Sequence, residues 1–312
     1  MKIFKFGGAS IKDAESVKNV ANIIRTEGAK DTLVVISAMG KMTNAFEDVV
    51  EAYYNKTENL PKKLNFIEDF HKNIMNSLFD KEDTVYKDVA ILFGELGWFL
   101  ARNTSQRSNY VYDQIICFGE LLSTRIVSAY LSKIGIDNCW FDVRNYIKTD
   151  SNYRDAKVDW QLTEEIISKK VDTSKLNITQ GFIAANDTEN STTLGREGSD
   201  YTAAIFAYCL HAESVTIWKD VDGVLNADPR VFAETTLLKQ ISYEEAIEMA
   251  FYGASVIHPK TLQPLERKEI PLLVRSFLNP KQTGTKVSKG SSLRPYIPCF
   301  IVKKDQILLS IS

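Results

Sequence analysis

Two glycine-rich segments, far apart in the chain, carry the residue types that bind anions. Lys5-Phe6-Gly7-Gly8-Ala9-Ser10 follows the β-forming pair Ile3-Phe4. Adjacent glycines let a backbone approach a ligand without Cβ interference, and a helix expected from about Asp13 would aim its positive end nearby. A lysine beside such a loop suits a polyphosphate, although Gly-Gly after a strand also reads as a plain tight turn. The second segment, Thr193-Leu194-Gly195-Arg196-Glu197-Gly198-Ser199-Asp200, opens an apolar helical stretch through Ala203, Ala204, Phe206, Ala207 and Leu210. Ser199-Asp200 is expected to cap that helix, so that loop amides and a helix N-terminus converge on a second anion site.

Strands rich in β-branched residues alternate with helical patterns, the signature of a largely parallel sheet covered on both faces. Strands are expected at residues 2–6, at Thr32-Leu33-Val34-Val35-Ile36, at Asn138 to Asp142, at residues 176–184 and at Val215 to Trp218. Helices are expected from Asp13 to Glu27, with Val17, Val20, Ala21 and Ile24 on one stripe, and from Asp159 to Lys170. Thr43 to Ala101 is helical almost throughout and reads as a helical insertion, with Pro61 near a helix start and Gly94 and Gly97 as weak points. Asn186 to Ser191 reads as a hairpin tip whose return is the second glycine-rich segment. Ligands of open parallel sheets collect at the carboxyl ends of strands. Lys5, Ser37, Gly181 and Lys219 stand at such ends and are expected to face one cleft.

Composition sets the remaining bounds. The 312 residues exceed the usual single-core size, and 44% apolar content is ample for a packed interior. With 38 basic against 40 acidic residues there is no footprint for a nucleic-acid backbone or an anionic membrane, and neither partner is expected. Cys117, Cys139, Cys209 and Cys299 are widely spaced and read as buried thiols of a reducing compartment. Met1-Lys2 runs straight into the first strand, and the Val89–Ala101 stretch is short and broken by Glu95, so a cytoplasmic protein is expected.

The set KFGGAS, VVISAMGKMTN, FGELLSTR, WFDVR, TQGFIA, TTLGREGSDYTAA, IWKDVDGVLNADPR and YGASVIHPKTLQPL resembles aspartate kinase of the amino-acid kinase superfamily from residue 1 to about 290. The resemblance implies an α/β fold, a three-layer αβα sandwich around a mainly parallel sheet. It divides residues 1–292 into an aspartate-binding lobe (about 1–200) and an ATP-binding lobe (about 201–292). The implied reaction is transfer of the γ-phosphoryl group of ATP, with Mg²⁺, to the side-chain carboxylate of L-aspartate. It opens the lysine, threonine and methionine route. That carboxylate, with a pKa near ~3.9, needs no base at neutral pH, so catalysis reduces to placement and charge neutralisation. Lys5 is the natural cation for the phosphoryl oxygens, Gly7, Gly8 and the Ser10 hydroxyl would cradle the phosphates, and Asp200 matches the family's organising aspartate. For the amino acid, the Arg196 fork fits a carboxylate, Glu120 offers a counter-charge to the α-ammonium group, and Ser37, Thr43 and Ser199 add hydroxyls. The resemblance carries Lys219, Asp220 and Arg230 to the nucleotide site, with Asp222 and Gly223 in the loop between them and Ser255 where relatives often have a lysine. It is compatible with a homodimer.

Taken singly, these residues have plainer readings. Ser199 and Asp200 are good cap residues, Glu120 a first-turn carboxylate, Arg196 a hairpin residue, and Asp228-Pro229-Arg230 a common turn. His258 reads as a core or helix-capping residue. Only their joint occurrence favours a site. Departures from the family pattern are Ala9, where a hydroxyl residue is usual, Glu197, where glycine is common, and Ser255. A glutamate or N-acetylglutamate kinase, or a binder without catalysis, are the alternatives. At the carboxyl end, residues 293–312 resemble the first strand of an ACT-like module, with an apolar strand at Gln306 to Ile311. Complete ACT modules, and with them a lysine or threonine effector site, are expected to be absent from these residues.

Overall fold

A computed structural model describes residues 1–253, 257–290 and 292–302. Ser255 and the expected strand Gln306–Ile311 lie outside the described residues.

The chain begins with β1 (Lys2–Phe6), a short 3-10 turn at Gly8–Ile11, α1 (Ala14–Glu27) and β2 (Thr32–Ile36). The helical block follows as α2 (Met42–Tyr54), α3 (Leu60–Leu78), α4 (Val85–Arg102), α5 (Ser108–Ile116) and α6 (Phe118–Lys133). Next come β3 (Cys139–Trp140), α7 (Trp160–Lys170), β4 (Leu176–Gln180), and a hairpin of β5 (Ile183–Ala185) and β6 (Ser191–Thr193). The last part holds α8 (Gly198–Leu210), β7 (Ser214–Lys219), β8 (Gln240–Ile241), α9 (Tyr243–Tyr252), α10 (Pro259–Arg267), β9 (Leu272–Ser276) and β10 (Thr285–Val287).

Eight strands form one sheet in the order β3-β4-β2-β1-β7-β9-β10-β8, parallel at every junction except β9 against β10. All five residues of β2 and of β4 are buried, as strands covered on both faces must be. The covering layers are α6 against β2, β3 and β4, with α3 and α1 beyond it, and α8 against β1, β2 and β7, flanked by α7 and α10. The architecture is thus the expected three-layer α/β sandwich.

Local chemistry accounts for the boundaries. Asp13 caps α1 by accepting from the Ser16 amide at 2.8 Å, and Gly28 ends it at φ 102°, a conformation that favours glycine. Asp159 caps α7 in the same way through the Leu162 amide, and His258 caps α10, its Nδ1 accepting from the Lys260 amide. Several expectations need correction. Gly94 and Gly97 do not break α4, which runs through both. The strand near Trp140 is two residues long, not five, because the chain turns at Asp142, whose side chain takes the Arg144 amide. Residues 176–184 form two strands in different sheets, broken at Gly181-Phe182 where Phe182 adopts φ 69°. Cys139, on the edge strand, is exposed, and Cys299 is half-buried, so only Cys117 and Cys209 are the expected buried thiols.

The apolar run Ser108–Lys133, spanning α5 and α6, is long enough to cross a membrane but is mostly buried inside the fold. Residues beyond β10 return along the body: Arg294 exchanges backbone bonds with Lys239 and Gln240, and the Phe300 amide donates to Asn226 at 2.7 Å. Near α2, His71 is fully buried between the rings of Phe70 and Phe93, and burial pushes its pKa down from 6.5 to about 4. A folded-state pKa below the unfolded value means this contribution is intact above about 6.5 and is lost as pH falls toward 4. His71→Leu is expected to reduce the stability lost between pH 7.5 and 5 by roughly 2 kcal/mol, read from denaturant midpoints.

Candidate active site

The sheet register puts the carboxyl ends of four strands side by side. Phe6 pairs with both Ile36 and Trp218, and Ile36 pairs with Gln180. The next residues along each strand, Gly7, Ser37, Lys219 and Gly181, therefore stand together at the carboxyl edge of the sheet. β1 is also where connections diverge, β2 lying on one side and β7 on the other, the position at which open α/β sheets form a crevice.

At this crevice the two glycine-rich segments meet. Lys5 Nζ lies 2.6 Å from Asp200 Oδ1, and Lys219 Nζ lies 3.5 Å from Oδ2. Asp200 is fully buried, which by itself would raise its pKa. The charges of Lys5 and then Lys219 outweigh burial and hold the carboxylate below its ordinary range. One anion thus fixes two ammonium groups together, and the trio keeps a net positive charge at the mouth of the cleft. Asp200 was expected to cap α8. Instead the residue before the helix is Glu197, at φ 53° with no side-chain cap, and Ser199 and Asp200 sit in the buried first turn. The lysines claim the carboxylate that would otherwise fold back onto the helix amides.

Beside this trio is a cavity of about 220 Å³ lined by Lys5, Ser37, Thr43, Glu120, Phe182, Gly195, Glu197, Gly198 and Ser199. Glu120, in the first turn of α6, forms its acidic wall. Its Oε1 accepts from the Ala38 amide at 3.2 Å, while the buried Oε2 has no hydrogen-bond partner. Burial pushes its pKa up to about 8, against the opposing pull of the Ala38 amide. An acid with one oxygen left without a hydrogen-bond partner among the described residues, in a cavity of this size, can receive a small cation, such as an ammonium group. Ser37 is held from behind, its carbonyl accepting from Ser123 Oγ at 2.7 Å.

Three glycines permit these approaches. A Cβ on Gly8 would stand 2.5 Å from the Gly40 carbonyl oxygen, one on Gly181 2.5 Å from Ser199 Cβ, and one on Gly198 2.6 Å from the Phe182 ring. Gly181→Ala is expected to drive Ser199 and the start of α8 out of place. Overpacking of this kind costs about 1–3 kcal/mol, and activity should fall further than stability. Activity and thermal midpoint, measured on the same preparation, check this.

Gly7 and Gly8 border the cleft, half-buried, but Ser10 is fully buried and its hydroxyl donates to the Gly7 carbonyl at 2.6 Å, bracing the loop from beneath. Arg196 is exposed and does not line the cavity. Asp220 and Asp222 are exposed on the loop after β7. Gly223 is buried at φ 151°, its missing Cβ occupied by Thr285 Oγ1, so its requirement is one of packing. The Arg230 guanidinium is paired to Asp228 at the surface. Phe182, Gly195, Glu197 and Gly198 line the cavity without having been assigned a binding role. Phe182 directly follows a strand-end glycine, and that adjacency was the available signal.

The model of the amino acid kinase family matches residues 1–276. The chain belongs to that family. Within it, the similarity is to aspartokinases. Lysine-sensitive aspartokinase 3 of Escherichia coli (strain K12) is 32% identical over 313 residues, covering 99% of this chain and 69% of that protein. The chloroplastic bifunctional aspartokinase/homoserine dehydrogenase 2 of Arabidopsis thaliana is 34% identical over 295 residues, 91% of this chain but 32% of the relative. Among solved structures, E. coli aspartokinase III in complex with aspartate and ADP superposes with a TM-score of 0.86 at 32% identity, covering 94% of this chain and 65% of that one. The form of that protein with lysine and aspartate gives 0.84 at 33% identity, with 93% and 65% covered. The chain therefore spans about a third of the bifunctional plant relative and about two thirds of the bacterial aspartokinase.

Proposed function

We propose that this chain is an aspartate kinase, transferring the γ-phosphoryl group of ATP to the side-chain carboxylate of L-aspartate and so forming 4-phospho-L-aspartate and ADP. The observation that carries the reading is the Lys5–Asp200–Lys219 trio, two cations on one buried anion, opening beside a cavity whose acidic wall is Glu120, with one carboxylate oxygen lacking a hydrogen-bond partner among the described residues. In this reading an oxygen of the aspartate side chain bonds to the γ-phosphorus as the bond to the bridging oxygen of ADP breaks. No proton need move, because the nucleophile is already ionised. The lysines offset charge on the transferring phosphoryl oxygens, and Gly7 and Gly8 give the phosphates access to backbone amides. Glu120, once ionised, takes the α-ammonium group, with Ser37, Thr43 and Ser199 as hydroxyl partners and Arg196 for a carboxylate from the exposed side. Lys219, Asp220, Asp222, Gly223 and Arg230 form the nucleotide side.

Among the described residues no cluster of three or more His, Cys, Asp or Glu side chains could cage a resident metal. Magnesium would arrive on the triphosphate, with Asp200, already engaged by Lys5 and Lys219, as the nearby carboxylate. Such an ion would neutralise charge between the β- and γ-phosphates. We assign residues 1–200 to amino-acid binding and 201–292 to nucleotide binding, with 293–312 as the start of an ACT-like segment, in a cytoplasmic homodimer; cell fractionation and light scattering check the last two.

A coupled ADP-release assay with hydroxylamine trapping, run across aspartate, glutamate and N-acetylglutamate, tests the reading. ADP release and hydroxamate are expected with aspartate alone. Equal turnover with glutamate, or none with any acceptor, would reject it.

A further inference from the structure

Lys260, the second residue of α10, reaches across to the glycine-rich loop that borders the cavity. Its Nζ lies 2.7 Å from Asp155 Oδ1 and 2.8 Å from the Leu194 carbonyl oxygen, and 5.0 Å from the centre of the Tyr201 ring. Asp155 in turn occupies the space beside Gly195: a Cβ there, at φ 76°, would meet Asp155 Oδ1 at 2.5 Å. The same incoming end of the loop is fixed one residue earlier by Asp113, buried on α5, which accepts from the Thr193 amide at 2.8 Å, the Thr193 hydroxyl at 2.9 Å and the Arg154 amide at 3.0 Å. Beyond these two anchors the chain carries Gly195, Arg196 and Glu197 and then enters α8, whose first turn holds Ser199 and Asp200.

An exposed ion pair contributes little to stability, and the Asp155 side chain is 71% exposed. The bond to the Leu194 carbonyl is different in kind. It fixes one backbone oxygen at the hinge of the loop from a helix of the opposite lobe. Without it, Leu194 keeps only its own amide bond to Phe182 on that side of the hairpin.

We propose that Lys260 is a positioning residue that holds the Gly195–Glu197 loop against the amino-acid cavity, so that α10 of the nucleotide lobe sets the affinity for the amino acid. The proposal deepens the kinase reading and rests on it for its kinetic form. Lys260 does not touch substrate; it acts through the Leu194 carbonyl and Asp155.

Five forms of the full chain test it: the wild type, Lys260→Met, Lys260→Arg, Asp155→Asn and the Lys260→Met/Asp155→Asn double variant. The expected result for Lys260→Met is a rise in aspartate KM of five- to twentyfold, with ATP KM and kcat within about twofold. Lys260→Arg, which keeps the donor and the charge, should return aspartate KM to within about twofold of the wild type. The double variant should be no worse than Lys260→Met, because both residues act on one loop. An unchanged aspartate KM, or a parallel change in both KM values and kcat, would overturn the proposal. Hydrogen exchange at the Gly195–Gly198 amides decides independently of turnover. Lys260→Met should speed it about tenfold while leaving the core of β1 and β2 unchanged, and an unaltered rate would also overturn the proposal. Should the wild type form no aspartyl phosphate, the kinase reading fails, and exchange still decides the role of Lys260.

Discussion

Lys5→Met is expected to lower kcat by about 10²- to 10³-fold, the effect of removing one preorganised electrostatic donor from a charge-developing transition state. The geometry gives this substitution a second consequence. Asp200 is fully buried, and without Lys5 its carboxylate keeps only Lys219, at 3.5 Å. Breaking one arm of a buried ion pair is costly, commonly about 3–5 kcal/mol, because an undercompensated charge remains. The single variant should therefore lose both turnover and stability. The double variant Lys5→Met/Asp200→Asn should regain most of the stability and none of the turnover. Circular dichroism melting and single-turnover kinetics on the same samples separate the two losses. A Lys5→Met enzyme with near-normal kcat would remove Lys5 from the reaction.

Glu120→Gln should behave in the opposite way on stability. Burial pushes the Glu120 carboxyl up from its ordinary 4.5 to about 8, and so the folded state holds its proton more tightly than the unfolded chain does. The sign follows: this group favours folding least at high pH, and stability falls as pH rises from about 4.5 to about 8. A neutral glutamine removes that burden, and at pH 8 the variant should be more stable by about 1–3 kcal/mol. Its aspartate KM should rise about 10²-fold, since an ammonium group loses a charge-assisted partner. In the wild type, aspartate affinity should improve as pH rises toward 8, because binding requires the ionised acid. Binding near pH 7 should release a proton, seen by calorimetry in buffers of different ionisation enthalpy. A pH-independent KM together with a destabilised Glu120→Gln variant would exclude this role.

Much of this site could be read from residue order alone because its chemistry depends on local types. A lysine in a strand before Gly-Gly, and an aspartate at a helix start after a glycine-rich return, each announce an anion. β2 was legible for a related reason, since its run Leu33-Val34-Val35-Ile36 fits a strand buried on both faces, and β1 was announced by the β-forming pair Ile3-Phe4. What failed depended on contacts distant in sequence. The break at Gly181-Phe182 exists because Ser199 packs against Gly181, and the short β3 exists because Asp142 turns onto Arg144. Ser10 looked like a phosphate contact, yet its hydroxyl is spent on the carbonyl of Gly7. The coupling of Lys260 to the loop across 66 residues has no signature in composition or periodicity.

The central claim is that the trio of Lys5, Asp200 and Lys219 joins a triphosphate to the side-chain carboxylate of aspartate. Isotope transfer tests it most directly. Aspartate carrying ¹⁸O in both side-chain oxygens is incubated with ATP and magnesium, and the acyl phosphate is then cleaved at carbon by hydroxylamine. The account predicts inorganic phosphate bearing one ¹⁸O, formed at the rate of ADP release and lost in Lys5→Met. Phosphate without label, released at the same rate as ADP, would contradict it.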